Sequence, residues 1–221
     1  LPEGYDGVEV VDDGGKIQPV QATVGGSVIF HAAGVPSKGY KSYEIRKAAP
    51  AVASDKTFNR RLENSYFTVV FDDNMNITSL FDKTNSREVL KPGERANVLQ
   101  AFEDKPHNHD AWDINLYYQE KMWELDSLES VETGPAGPVS SSVVIRRSFL
   151  DSVINQEIIL YHDIPRIDFK NTIDSKERQI LLKAAFPIDV NAEKATYEIQ
   201  YGNVERPTHW NTSWNQAKFE I

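Results

Sequence analysis

Apolar residues recur at every second position through much of the chain. Ile167, Phe169 and Ile173 fall on one side of a pleat, and Arg166, Asp168, Lys170 and Thr172 on the other. Asn171 is the one polar break in that apolar face. Ala195, Tyr197, Ile199 and Tyr201 alternate with Thr196, Glu198 and Gln200, and Phe67, Val69 and Phe71 repeat the pattern. A period of two belongs to a strand with one buried and one wet face. The valine, isoleucine, tyrosine, phenylalanine and threonine in these runs suit a pleated surface.

Turn residues divide the runs. Asp72-Asp73-Asn74-Met75-Asn76 predicts a hairpin between the strands at 67–71 and 77–81. Gly134-Pro135-Ala136-Gly137-Pro138 breaks any element, and Asp163-Ile164-Pro165 ends the strand at 158–161. From 139 to 201 the pattern predicts four consecutive strands with short links, an antiparallel meander. Helix is scarce: residues 54–63 are expected to hold at most a short helical turn. Short strands are expected at 9–11, 27–31 and 42–45, and the small-residue stretch 48–55, with Pro50, marks a boundary. The fold class expected is all-β: a small β module over 1–57 and a large antiparallel β-sandwich over 58–221.

Composition narrows the function. Apolar residues are 40 % of 221, enough for a packed core. The net charge is −9, without a basic stripe, which makes nucleic acid a poor partner. No apolar run reaches the roughly 20 residues that span a bilayer, and no basic-then-apolar leader is visible. Cysteine is absent, which excludes disulfides, thiolate catalysis and Cys-ligated zinc and points to a reducing, cytoplasmic setting. The sequons at Asn76 and Asn211 are read as accidental. The chain starts at Leu1, its only methionines are Met75 and Met122, and its last residues sit inside an alternating pattern. The expectation is a piece of a longer protein.

The densest chemistry is Glu103-Asp104-Lys105-Pro106-His107-Asn108-His109-Asp110-Ala111-Trp112-Asp113-Ile114-Asn115. His107 and His109 are spaced to share one face of a strand, but Pro106 and Asn108 favour a loop, and a metal would need a third ligand from elsewhere. Trp112 between Asp110 and Asp113 has the parts of a sugar contact, an aromatic face beside carboxylates that accept hydroxyl hydrogen bonds. The competing reading, preferred on these residues alone, is a core-packed Trp112 with the carboxylates capping loop amides. A second cluster runs from Arg206 through His209 and Trp210 to Trp214. It reads as a loop pinned by hydroxyl and amide bonds, with Arg206 able to pair with a carboxylate of the first cluster. His31 and His162 read as ordinary strand residues.

Taken together, several segments resemble class II α-mannosidases, glycoside hydrolase family 38, in the branch with bacterial and cytosolic members. They are Leu62-Glu63-Asn64-Ser65-Tyr66-Phe67, Asn76-Ile77-Thr78-Ser79-Leu80-Phe81-Asp82-Lys83, Ala96-Asn97-Val98-Leu99-Gln100-Ala101-Phe102-Glu103-Asp104 and Asp110-Ala111-Trp112-Asp113-Ile114. Tyr201-Gly202-Asn203-Val204-Glu205-Arg206-Pro207-Thr208-His209 and Asn211-Thr212-Ser213-Trp214 complete the set. The resemblance implies a parent with an N-terminal barrel that binds zinc and supplies an aspartate nucleophile, whose retaining chemistry uses two carboxyl groups about 5–5.5 Å apart. Neither the zinc ligands nor the nucleophile has a counterpart here, so no catalytic or metal residue is expected in this chain. It also implies a sandwich like that of sugar mutarotases, short of its last strands, packed on the missing barrel, with a mannose-containing oligosaccharide as the parent's substrate. Homo-oligomers are a further expectation. The substrate-binding candidates are Asp104, Trp112 and Asp113, in a 103–115 loop expected to face the barrel, and Arg206 and His209 of the second cluster. A free-standing carbohydrate-binding module, or a mutarotase-like enzyme using His107, His109 or His209 as acid or base, are the alternatives.

Overall fold

A computed structural model describes residues 7–23, 26–49, 58–110 and 112–216. Most of the expected boundary at 48–55, the start of the expected helical turn, Ala111 and the last five residues lie outside these.

The first strands are β1 (Val8–Asp12), β2 (Ile17–Gln18), β3 (Val20–Ala22), β4 (Val28–Phe30) and β5 (Tyr43–Lys47). They form a three-stranded sheet in the order β2-β1-β5 and a separate β3-β4 hairpin. The three short strands expected here are all present. Gln21 of β3, 4 % exposed, fastens the hairpin to the larger part. Its Oε1 accepts the backbone N–H groups of Val139 at 3.0 Å and Ser140 at 2.8 Å, and its Nε2 donates to Ser140 Oγ at 3.0 Å.

Next come β6 (Arg61–Glu63), β7 (Phe67–Phe71), β8 (Ile77–Asp82) and β9 (Arg87–Glu88), one antiparallel sheet in sequence order. The helical turn expected at 54–63 is therefore wrong at its end, where Arg61 to Glu63 pair with Thr68 to Val70. Long-range pairing overrides a weak local preference. The β7–β8 hairpin is as expected. Asp72 Oδ1 accepts Asn76 N–H at 2.8 Å, and Met75 takes the left-handed conformation (φ 60°) that closes the turn. Asn76 is 3 % exposed and its amide donates to Asp72 Oδ2, so that sequon offers no site for a glycan.

Then follow β10 (Val98–Glu103), a 3-10 helix (Leu116–Glu120), β11 (Met122–Glu124), β12 (Leu128–Thr133), β13 (Ser140–Phe149), β14 (Ser152–Tyr161), β15 (Ile167–Asp174), β16 (Ile180–Ala185), β17 (Lys194–Ile199), β18 (Gly202–Pro207) and α1 (Ser213–Gln216). Strands β12 to β15 form a four-stranded meander. The expected run of four strands from 139 to 201 is in fact five, and it does not stay in one sheet. β16 leaves to pair with β10, giving the order β11-β10-β16, and β17 pairs, among the described residues, only with β18.

The protein is all-β. Its core lies between the β6–β9 and β12–β15 sheets. Leu62, Val69, Phe71, Met75 and Ile77 meet Val143, Ile145, Ile158 and Leu160. Each such side chain contributes roughly 1.5–3 kcal/mol by leaving water. A second cluster, Leu99, Ala101, Leu125 and Ile154, seats the β10 sheet beside the first, and the Ile77–Ala96 bridge joins the two sheets.

Polar groups also lie inside. Arg147, 2 % exposed, donates to the carbonyls of Leu125 and Asn74. Burial lowers its pKa, opposed by the charges of Asp126 and Asp72. Asn171 is the polar break because its Oδ1 accepts from Gln156 Nε2 at 2.8 Å. The alternation overstates burial elsewhere: Ile173 and Ile199 are half exposed and Tyr201 fully so.

Candidate functional site at the β10–β16 edge

The polar loop leaves β10 at Glu103, whose carboxylate is held below its usual range by hydrogen bonds from Lys105 (2.8 Å) and Lys121 (3.0 Å). One residue on, Asp104 N–H donates to Gln179 O at 2.8 Å, which zips the start of the loop to the turn before β16. The backbone then folds on itself. The N–H groups of Trp112 and Asp113 both donate to His109 O, at 2.8 and 3.0 Å, with His109 left-handed at φ 57°. Asn115 caps the 3-10 helix by accepting Tyr117 N–H at 3.3 Å. That helix is anchored by buried Tyr118, edge-on to Phe102 at 5.1 Å and hydrogen-bonded from Lys183 Nζ at 2.6 Å.

Between these anchors Trp112 stands out into solvent, 89 % exposed. The core-packed reading of Trp112 is thus overturned. A turn closed on His109 O points the indole away from either sheet. A single exposed ring needs no explanation by itself; Trp112 is a site candidate because the loop that carries it also borders a polar cleft.

Beside the loop is a cleft of about 580 Å³ lined by Asp104, Asp110, Arg178, Gln179 and Ile180. Asp104 Oδ1 is buried without a hydrogen-bond partner, alone in this respect among the described residues. Burial first, and then the charge of Asp110, raise the Asp104 pKa. Arg178 is exposed and makes no hydrogen bond or ion pair to a described residue. Gln179 is left-handed at φ 56°, which turns the chain from the Arg178 position into β16. The cleft therefore sets two acceptor carboxyls against one five-donor fork.

The remaining candidates fall elsewhere. Asp113 is exposed on the same turn as Trp112 and does not line the cleft. Arg206 lies in β18 opposite Ala195, and His209 follows the strand, its Nδ1 accepting Asn211 N–H at 3.4 Å. The second cluster is a pinned loop, with Thr208 Oγ1 donating to Ala192 O at 2.6 Å. His107 and His109 are exposed. Among the described residues no three His, Asp or Glu side chains come together to hold a metal. His31 and His162 lie just past strand ends, and His162 Nε2 is 3.0 Å from Gly137 O.

A larger groove of about 660 Å³ runs between the β3–β4 hairpin and β13–β15. Its carboxylates are already engaged, Glu157 by Ser142 and Asp168 by Tyr161 and the Arg166 fork. That makes it the weaker candidate. The sequence reading missed Arg178 and Gln179, which sit in an unpatterned link with no signal beyond polarity.

The architecture defines a class first. The structure is similar to an alpha-mannosidase from Enterococcus faecalis V583, with a TM-score of 0.61, covering 97 % of this chain and 30 % of that one at 13 % identity. At that identity the likeness speaks to fold, a β region of a kind found within a much larger enzyme. Sequence makes it particular. The family described as "Glycosyl hydrolases family 38 C-terminal domain" matches residues 62–221, and the chain belongs to that family. It is 34 % identical over 188 residues to alpha-mannosidase G of Dictyostelium discoideum, covering 83 % of this chain and 17 % of that protein. It is 33 % identical over 162 residues to alpha-mannosidase 2C1 of Homo sapiens, covering 72 % and 16 %, and 30 % identical to an alpha-mannosidase of Saccharomyces cerevisiae. The chain thus spans about a sixth of the length of these relatives. No helix among the described residues is long and apolar enough to cross a membrane.

Proposed function

We propose that this chain is the non-catalytic β segment of a longer, zinc-dependent, retaining α-mannosidase that hydrolyses α-mannosides in oligosaccharides. The observation that carries the reading is the family match from residue 62 to 221, together with relatives named alpha-mannosidases that are about six times longer. On this reading the remainder of the parent supplies the metal and the nucleophile, and no catalytic step is assigned to this chain. Its contribution is structural: the small β module (1–57) and the sandwich (58–221) brace the catalytic part and present the 103–115 loop to it. Within that loop, Trp112 offers the aromatic face, Asp104 the unsatisfied carboxyl, and Asp113 helps close the turn on His109 O that carries Trp112. A cysteine-free composition suits a cytoplasmic parent.

The test uses the full-length parent and this chain side by side. The parent hydrolyses an aryl α-mannoside and loses activity to a chelator, and the 221-residue chain alone is inert. Replacing Trp112 and Asp113 separately in the parent weakens mannoside turnover or affinity. Robust cleavage by the isolated chain in chelator refutes the assignment, and unchanged kinetics in both variants refute the loop's role. The exposed Trp112 beside a polar cleft also favours a second reading, glycan binding by the isolated chain, which a flat calorimetric titration with oligomannosides removes.

A further inference from the structure

We propose that the cleft at the β10–β16 edge is a binding subsite for a pair of hydroxyl groups on a neutral sugar, with Arg178 as its donor and Asp104 and Asp110 as its acceptors. The inference rests on the α-mannosidase reading for the identity of the sugar and on the geometry for the rest. Two observations meet in the cleft, and a third lies on the loop that borders it. A volume of about 580 Å³ has room for one sugar residue. Its lining offers both donors and acceptors, and none of the three charged groups is neutralised by an ion pair within the described residues. An indole 89 % exposed stands on the same loop.

The chemistry selects the ligand class. A sugar hydroxyl donates one hydrogen bond and accepts others, so a hydroxyl pair can bridge a carboxylate and a guanidinium at once. A lone guanidinium would invite an anion, but two carboxyls line the same cleft and repel one. A cation would meet the guanidinium. A neutral polyhydroxyl ligand satisfies both signs, and the α-mannosidase reading makes that ligand a sugar. Asp104 Oδ1 is the buried polar atom left over in the free protein. A leftover of that kind costs stability, and such groups are kept where a ligand or a partner completes them. The raised Asp104 pKa has the same origin, burial first and then the charge of Asp110.

Arg178 is the residue to test, because it is exposed and has no partner among the described residues whose loss would unfold the chain. In the full-length parent, Arg178→Ala raises KM for a mannose disaccharide by about tenfold, the loss of one hydrogen bond to a charged group. The kcat stays within about twofold, the signature of lost uniform binding. Arg178→Lys recovers part of the affinity, keeping charge without the fork. Direct titration of the metal-stripped parent with the same disaccharide shows a matching rise in Kd. An unchanged KM and Kd overturn the subsite. So does a fall in kcat with KM unchanged, which marks a structural role. Tighter binding of a mannose phosphate than of mannose, abolished by Arg178→Ala, overturns it in favour of an anion site. If the parent binds the disaccharide through Arg178 but cleaves no mannoside, the subsite stands and the α-mannosidase reading falls.

Discussion

Gln156 holds the most informative polar contact in the sandwich. It is 2 % exposed and sits in mid-β14, facing the core. Its Nε2 donates to Asn97 Oδ1 at 3.1 Å and to Asn171 Oδ1 at 2.8 Å, and its Oε1 accepts from Asn97 Nδ2 at 2.7 Å. Asn97 is 1 % exposed and left-handed at φ 55°. Replacing Gln156 with leucine keeps the volume but strands both ends of the Asn97 amide away from water. Each stranded group costs about 1–3 kcal/mol. The leucine returns about 1 kcal/mol by adding apolar contact. The net loss is about 1–5 kcal/mol. With a urea slope near 2 kcal/mol/M, the unfolding midpoint falls by about 0.5–2.5 M at unchanged slope. Asn171→Leu provides the control. Asn171 is exposed and its loss removes one of the three bonds, so its cost is about 1 kcal/mol or less. The assay is urea unfolding followed by tryptophan fluorescence and circular dichroism. A Gln156→Leu shift no larger than that of Asn171→Leu would refute the reasoning, since it would mean that the buried amide finds water or new partners.

Three further outcomes follow from single sites. Gly134→Ala places a methyl group against Ser142, where the approach involves backbone as well as the hydroxyl, so it destabilises by about 1–3 kcal/mol; a neutral result in thermal unfolding counts against the close approach of the β12–β13 link. Glu63 has its pKa pulled down to about 2 by hydrogen bonds from Lys83 and Arg61. A folded pKa below the unfolded one gives stability that is complete above about 4.5 and lost as pH falls toward about 2. The carboxylate is more than a third exposed, so the whole effect is under about 1 kcal/mol, and Glu63→Gln should match the wild type near pH 2 while falling slightly behind at pH 7. Asp104 has the opposite sign. Its folded pKa is raised by burial and Asp110, so the wild type loses stability as pH climbs from the unfolded value through the folded one. Asp104→Asn therefore unfolds at a higher temperature than the wild type at pH 7 and at the same temperature in acid; equal midpoints throughout would show that the carboxyl is fully solvated.

The strands and hairpins were legible because their signals are local. Asp72 to Asn76 carries the side-chain acceptor and the left-handed position of a tight turn within five residues. Arg147 lies on the inward face of β13, in step with Val143 and Ile145, and was not singled out by the sequence pattern. Nothing local says that a charge is tolerated there, since its compensation comes from the carbonyls of Asn74 and Leu125, distant in sequence. The polar break at Asn171 was visible, yet its meaning required Gln156 from the neighbouring strand. Trp112 shows the opposite limit. It lies in a stretch with no period, so the sequence offered a ring and two carboxylates without a direction, and the turn on His109 O supplied one.

The error in topology and the omission in the site have one cause. Period-two alternation gives each strand a face but not a partner, so β16 was expected to continue the meander. Instead it pairs with β10 over six residues, from Val98–Ala185 to Glu103–Ile180. That register ends where β10 gives way to the polar loop, and its last pair carries the turn at Arg178 and Gln179 to the side of Asp104. Residues about seventy positions apart become two walls of one cleft only through that pairing. A β16 that stayed beside β15 would leave Asp104 and Asp110 as a lone acidic pair, with no donor opposite them. The candidate site is thus a consequence of sheet membership, which is decided by which core the Ile180 and Leu182 side chains join, and that choice lies in packing between distant segments rather than in any motif.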